Sequence, residues 1–151
     1  MKTPQQPLEQ IIADVKLIYA DLAKRPIERA CLNRTECCQF KLTGATPYLT
    51  LGEAIVAAKG LRAAGKKDLP IRTDGACPML KPNGRCMMYE SRPFGCRTHF
   101  CDAAGGAYPR KEVIDLIRRL EEIDGKNGGT GALPIQVAVE RALELISKPK
   151  R

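Results

Sequence analysis

The residues of this chain with the most distinctive chemistry are its seven cysteines and its single histidine. An upstream group lies in the stretch CLNRTECC and consists of Cys31, Cys37 and Cys38. A downstream group lies in CPMLKPNGRCMMYESRPFGCRTHFC and consists of Cys77, Cys86, Cys96 and Cys101, with His99 between the last two. Thiolates and imidazoles are donors that bind zinc and iron in proteins. The two groups therefore predict a metal site made from two segments of the chain.

The number and spacing of these donors leave the kind of metal site open. The downstream cysteines are separated by eight, nine and four residues, which does not match a common zinc finger. Seven thiols and one imidazole would suffice for two tetrahedral zinc sites, whereas one cubane iron–sulfur cluster needs four thiolates. The adjacent Cys37 and Cys38 would point to opposite sides of an extended backbone and could face different partners. His99 is the weaker candidate, because its ring could instead hydrogen-bond a loop carbonyl.

The ordered cysteines resemble those of the YkgJ-type cysteine-cluster proteins, a zinc- or iron-chelating family named for a CxxCxxCC motif. In that family the motif precedes a helix and then a block of the form CP.L...G.C..Y..RP..CR. This chain has TLGEAI at the helix and CPMLKPNGRCMMYESRPFGCR at the block. The matching positions in the block are Cys77, Pro78, Leu80, Gly84, Cys86, Tyr89, Arg92, Pro93, Cys96 and Arg97. The resemblance covers about residues 31–101 and implies that the cysteines hold zinc or iron, an iron–sulfur cluster being one form.

Arg34 is the position at which the chain departs from this pattern, because it stands where the second cysteine of CxxCxxCC is expected. An arginine side chain cannot ligate a metal at physiological pH, so the chain is one thiolate short of the full set. Arg92 and Arg97 bracket Cys96 and could lower the pKa of its thiol or hydrogen-bond its sulfur. With Tyr89, they are predicted to surround the ligands rather than to bind the metal.

Charge and the same resemblance raise two other function classes. The formal charge of +8 would suit a basic nucleic-acid-binding module, but the basic residues are spread out and not interleaved with aromatic ones. Some larger relatives of the family are associated with S-adenosylmethionine-dependent lysine N-methylation of flagellin, which implies a possible enzyme. The chain has no glycine-rich cofactor loop after a strand, and GKNGGTGALP at 125–134 is interpreted as a flexible linker. A metal-binding protein with a structural, chelating or redox role is favoured, and whether it is an enzyme and which protein it contacts stay open.

Hydrophobic periodicity predicts the elements that must position these residues, in a mainly α-helical single domain of about four helices spanning 1–151. Helices are expected over 8–24, over 50–65, from near Pro109, and over 134–147. Thr50 and Glu53 form a capping-box pattern at the start of the second helix, and Gly65 is the expected stop. The irregular cysteine-cluster core would occupy about 31–101, with a short hairpin at PNGRCMMY, and 109–147 would be a helical extension.

The N-terminus lacks the apolar stretch of a secretion signal, and no apolar run is long enough for a membrane span. A cytoplasmic protein without a membrane partner is therefore expected. A reducing compartment and an odd number of cysteines disfavour structural disulfides, which again favours metal binding.

Overall fold

The computed structural model describes residues 4–25, 48–66, 91–94 and 110–147. In chain order its elements are helix α1 (Leu8–Ala23), strand β1 (Tyr48–Leu49), helix α2 (Leu51–Ala63), a short 3-10 helix (Arg110–Glu112), helix α3 (Ile114–Lys126), strand β2 (Leu133–Pro134) and helix α4 (Ile135–Ser147). The two strands pair antiparallel, with Tyr48 opposite Pro134 and Leu49 opposite Leu133. The prediction of a mainly helical protein is confirmed. None of the described helices is long and apolar enough to cross a membrane.

Helix α1 buries the apolar face that its sequence predicts. Its buried residues recur at intervals of three and four: Ile11, Val15, Ile18, Tyr19 and Leu22. This spacing places them on one side of the helix, which packs against α2 and α3. Two ion pairs join this part of the chain to α3, from Arg119 to Asp21 in the last turns of α1 and from Arg25, just after α1, to Asp115. The hydrogen bonds from these arginines lower the pKa of each aspartate.

Helix α2 is the central helix of the described structure, because α1, α3 and α4 all pack against it. Residues 52–58 are buried without interruption, and Leu61 is fully buried. Small residues such as Ala54, Ala57 and Ala58 allow the surrounding helices to approach closely, and seven consecutive buried residues show that the first two turns of α2 are enclosed on all sides.

Both ends of α2 have the capping structures predicted from the sequence. The capping box of Thr50 and Glu53 is present at the N-terminus. At the C-terminus, Gly65 has a φ of 83°, and its N–H donates to the carbonyl of Arg62. The N–H of Lys66 donates to the carbonyl of Leu61, which completes a Schellman motif. Gly60 is accommodated inside the helix.

Helices α3 and α4 complete the core, but the segment that joins them is not the flexible linker that its glycines predicted. Helix α3 runs through Gly125 to Lys126, and β2 then pairs with β1. The buried side chain of Asn127 accepts a hydrogen bond from the N–H of Gln6 and donates to the carbonyl of Ile123. Gly128 and Gly131 have positive φ angles of 81° and 94°, which explains the glycines as backbone requirements of a fixed turn.

The beginning of the third helical region is also refined. The expected start near Pro109 corresponds to the 3-10 helix from Arg110, whereas α3 itself starts at Ile114. Leu116 is fully buried, while Ile117 is only half-buried. Pro109, the hairpin expected at PNGRCMMY and the tail 148–151 lie outside the described residues.

Candidate metal centre

Most of the residues predicted to form the metal site lie outside the described part of the structure. These are the seven cysteines, His99, Arg97 and Tyr89, and Arg34, which replaces an expected ligand, lies outside it as well. Within the ranges that are described, no group of three or more Cys, His, Asp or Glu side chains forms a metal site. Arg92, which was expected near the ligands, is described and is half-buried. The ligand set therefore stays a prediction, and the structure describes how part of the downstream block is held.

Residues 91–94 are that part, and they are fixed to the protein core. Pro93 and Phe94 are both buried, and Phe94 belongs to the main hydrophobic cluster. The backbone N–H of Phe94 donates a hydrogen bond of 3.0 Å to Oε2 of Glu53 in the first turn of α2. Cys96 follows two residues later, so its Cα can lie at most about 7 Å from that of Phe94. The block's RPF sequence is thereby tied to α2 close to a predicted ligand.

Glu53 is a buried carboxylate whose two oxygens serve different segments. Its side chain is 3% exposed. Oε1 accepts hydrogen bonds from the backbone N–H of Thr50 at 3.3 Å and from the Thr50 hydroxyl at 2.9 Å, while Oε2 accepts from Phe94. Burial is the largest influence and raises the pKa of Glu53, the charge of Asp124 raises it further, and the three donors act in the opposite direction.

Asp124 is a second buried carboxylate at the same end of α2. Its Oδ1 accepts the N–H of Leu51 at 2.8 Å, and its Oδ2 accepts the N–H of Gly131 at 2.9 Å. The first of these donors is an otherwise unpaired N–H of the first turn of α2, so Asp124 caps this helix from another element. The residues Thr50, Leu51, Glu53, Phe94 and Asp124 are called the α2 junction below. The junction joins α2, α3, the loop before β2 and the cysteine block.

A cleft of about 610 Å³ opens beside the α2 junction. Its walls include buried members of the junction and exposed side chains of α3 and the adjoining segments: Thr50, Glu53, Phe94, Asp124, Tyr48, Arg110 and Glu121. Tyr48 is 58% exposed, so its ring contributes an accessible aromatic surface. Phe94 is common to the cleft wall and the cysteine block. The cleft thus lies next to the fixed part of the predicted metal centre.

The chemistry of the predicted donors fits zinc or iron. Seven thiols and one imidazole supply mainly sulfur ligands and one nitrogen ligand, the types found in zinc sites and iron–sulfur clusters. Calcium and magnesium prefer oxygen ligands, which these residues do not supply. The buried carboxylates Glu53 and Asp124 already accept hydrogen bonds within the α2 junction. They are consequently assigned to holding the protein framework.

Sequence reasoning identified the capping box but not the second role of Glu53, and it did not select Phe94 or Asp124. The contacts that give these residues their roles join positions 41 and 73 residues apart in the chain. One signal was present, because an apolar Phe directly after Pro93 in a polar segment indicates an anchor in a core. The position of Asp124 at the end of an amphipathic helix carried no such signal.

The comparisons with known proteins agree with the cysteine pattern. The chain matches the CxxCxxCC family model, described as a putative zinc- or iron-chelating domain, over residues 29–115. The comparison with curated proteins found no match, and neither did the comparison with solved structures. The family match covers more than half of the chain and contains all seven cysteines, the helix α2 and the fixed residues 91–94. The resemblance to YkgJ-type proteins is therefore confirmed, and the chain belongs to the CxxCxxCC family of zinc- or iron-chelating domains.

Proposed function

We propose that this protein binds zinc or iron through thiolates contributed by two segments, and that the bound metal has a structural, chelating or redox role. The ligands would come from Cys31, Cys37, Cys38, Cys77, Cys86, Cys96 and Cys101, with His99 as a weaker candidate. Arg92, Arg97 and Tyr89 would surround them. When bound, zinc would cross-link the segments or act as a Lewis acid, whereas an iron–sulfur cluster would carry electrons.

The family match is the observation that carries this proposal, because it spans every cysteine of the chain. The position of α2 adds support. This helix lies between the upstream and downstream groups in the sequence, and its two ends are fixed by caps. The side chain of Glu53 then ties the downstream block to it. A framework of this kind reduces the entropy lost when distant thiols are brought to one metal.

A cytoplasmic location is part of the proposal, because clustered free thiols are maintained in a reducing compartment. Metal binding would also contribute on the order of 10 kcal/mol to folding of the cysteine segments. More than half of residues 77–101 are proline, glycine or polar, so packing offsets only part of the ordering entropy.

Elemental analysis of protein purified without oxygen, with its visible spectrum, tests the proposal. Bound zinc in a colourless protein or bound iron in a brown one is the expected result. Cys77→Ser should lower the metal content, whereas Met79→Leu in the same segment should leave it unchanged. Wild-type protein that holds neither metal, even after anaerobic reconstitution with each, would contradict the proposal.

A further inference from the structure

We propose that Glu53 is a positioning residue for the metal centre, which fixes the backbone of the cysteine block at Phe94 and so determines where Cys96 is presented. This inference rests on the proposed function, since it assumes that Cys96 is a ligand. It assigns to the family's helix a role beyond spacing the two cysteine groups.

The arrangement of hydrogen bonds is the first argument for this role. A glutamate at the third position of a helix can complete a capping box with one oxygen, which leaves its other oxygen for a different partner. Here one oxygen, Oε1, takes both donors of Thr50, and the other reaches the N–H of Phe94 at 3.0 Å. The second contact joins residues 41 positions apart and contributes nothing to capping the helix.

The burial of Glu53 is the second argument. A carboxylate that is only 3% exposed loses most of its hydration, which makes it a costly way to cap a helix. The cost is offset only if each oxygen has a partner, and the N–H of Phe94 supplies the partner of Oε2. Pro93 and Phe94 are buried as well, so this N–H would lack water if Glu53 were removed. Loss of the glutamate would release the backbone at this point.

The distance to the predicted ligand is the third argument. Only Gly95 separates Phe94 from Cys96 in the sequence, so the Cα atoms of Phe94 and Cys96 can be at most about 7 Å apart. Metal–ligand bonds tolerate errors of about 0.2 Å, so freedom at an anchor this close is transmitted to the thiolate. A side chain that orients a ligand in this way typically changes metal affinity by about 10-fold to 100-fold when it is altered.

Glu53→Gln is the informative variant, because it keeps the shape of the side chain and has one oxygen where the wild type has two. One of the donors from Thr50 or Phe94 then faces an amide NH2 group. Leu61→Val is the matched control. It alters a fully buried residue at the other end of the same helix, about 12 Å from Glu53 along the axis. Glu53→Asp is a second variant, with the charge retained and the carboxylate drawn back by one methylene.

The measurements are the rate at which metal-loaded protein gives up its metal to a chelator and the rate at which each cysteine is alkylated, mapped by mass spectrometry. Both are recorded at a temperature where the variants are equally folded. We expect Glu53→Gln and Glu53→Asp to release metal about ten times faster than Leu61→Val, with alkylation rising first at Cys96. Equal release rates for Glu53→Gln and Leu61→Val, with wild-type protein fully loaded, would overturn the inference alone. Wild-type protein that takes up no zinc or iron would instead overturn the proposed function, and the inference with it.

Discussion

Gly52→Ala is expected to destabilise the protein, because Gly52 lies where α2 meets both α1 and α3. A Cβ atom added there would be 2.8 Å from Cγ2 of Val15 and 3.2 Å from Cγ2 of Ile123. Overpacking of this kind costs about 1–3 kcal/mol. Replacing glycine by alanine within a helix returns at most about 1 kcal/mol, and less in a first turn. The free energy of unfolding should therefore fall by about 1–2 kcal/mol, which corresponds to a decrease of roughly 2–8 °C in Tm for a chain of this size.

Gly125→Ala is the matched control for this prediction. Gly125 lies in α3, and a Cβ atom added there would have no neighbour within 4 Å. Because Gly125 lies in the last turn of α3, where the helix-propensity gain is smaller than in the middle of a helix, the same chemical change should stabilise the protein by at most about 0.5 kcal/mol. Urea unfolding followed by circular dichroism measures both variants. If Gly52→Ala is as stable as wild type or more stable, the close packing of α2 against Val15 and Ile123 is not as described and the reasoning fails.

Three further predictions concern the α2 junction and the helices around it. Asp124→Asn should lower the free energy of unfolding by about 1–3 kcal/mol, since one of two part-buried N–H groups loses its hydrogen bond to a charged acceptor. The exposed Glu121→Gln should change it little, and equal urea midpoints for the two variants would contradict the assigned hydrogen bonds. Burial raises the pKa of Glu53 above its ordinary 4.5, so the folded protein binds a proton at this carboxyl more tightly than the unfolded chain does. Wild type should therefore lose stability relative to Glu53→Gln as the pH rises from 4.5 through the raised pKa. A difference in urea midpoint between the two that does not vary with pH would count against this. A chain ending at residue 115 should lose most of its helical circular dichroism and become sensitive to protease, because α2 would lose its packing against α3 and α4. A fragment that still unfolds cooperatively would refute the dependence of α2 on these two helices.

The extent to which the fold follows from the sequence differs between elements. Helix α1 could be predicted because its apolar residues repeat at helical spacing, and the ends of α2 could be predicted because capping boxes and C-terminal glycines are local signals. The central position of α2 could not, because Ala54, Ala57 and Ala58 have little apolar surface individually and become informative only when the neighbouring helices are known. The strands β1 and β2 have two residues each, too few to produce an alternating pattern.

The candidate site divides in the same way. The cysteines and His99 could be selected from residue type and spacing, because metal coordination depends on the donor atoms themselves. The residues that hold the framework are ordinary in type. Among the acidic residues that the structure describes, Glu53 and Asp124 are the buried ones, and each has a hydrogen-bond partner far away in the sequence. Such partners depend on the tertiary fold, and a single sequence carries no local record of them.

The boundaries of the family match bear on how the predicted metal centre would be supported. The match at 29–115 contains α2 but excludes α1, α4 and all of α3 after its second residue, Asp115. These excluded helices are nevertheless the ones that pack around α2. Asp124, which caps α2 and completes the α2 junction, also lies outside the match. The family segment therefore depends on its flanking helices for the rigidity of its own central helix. The entropy of assembling two distant groups of thiols falls when the helix between them is already fixed, so changes in α3 or α4 should alter metal retention without touching a ligand.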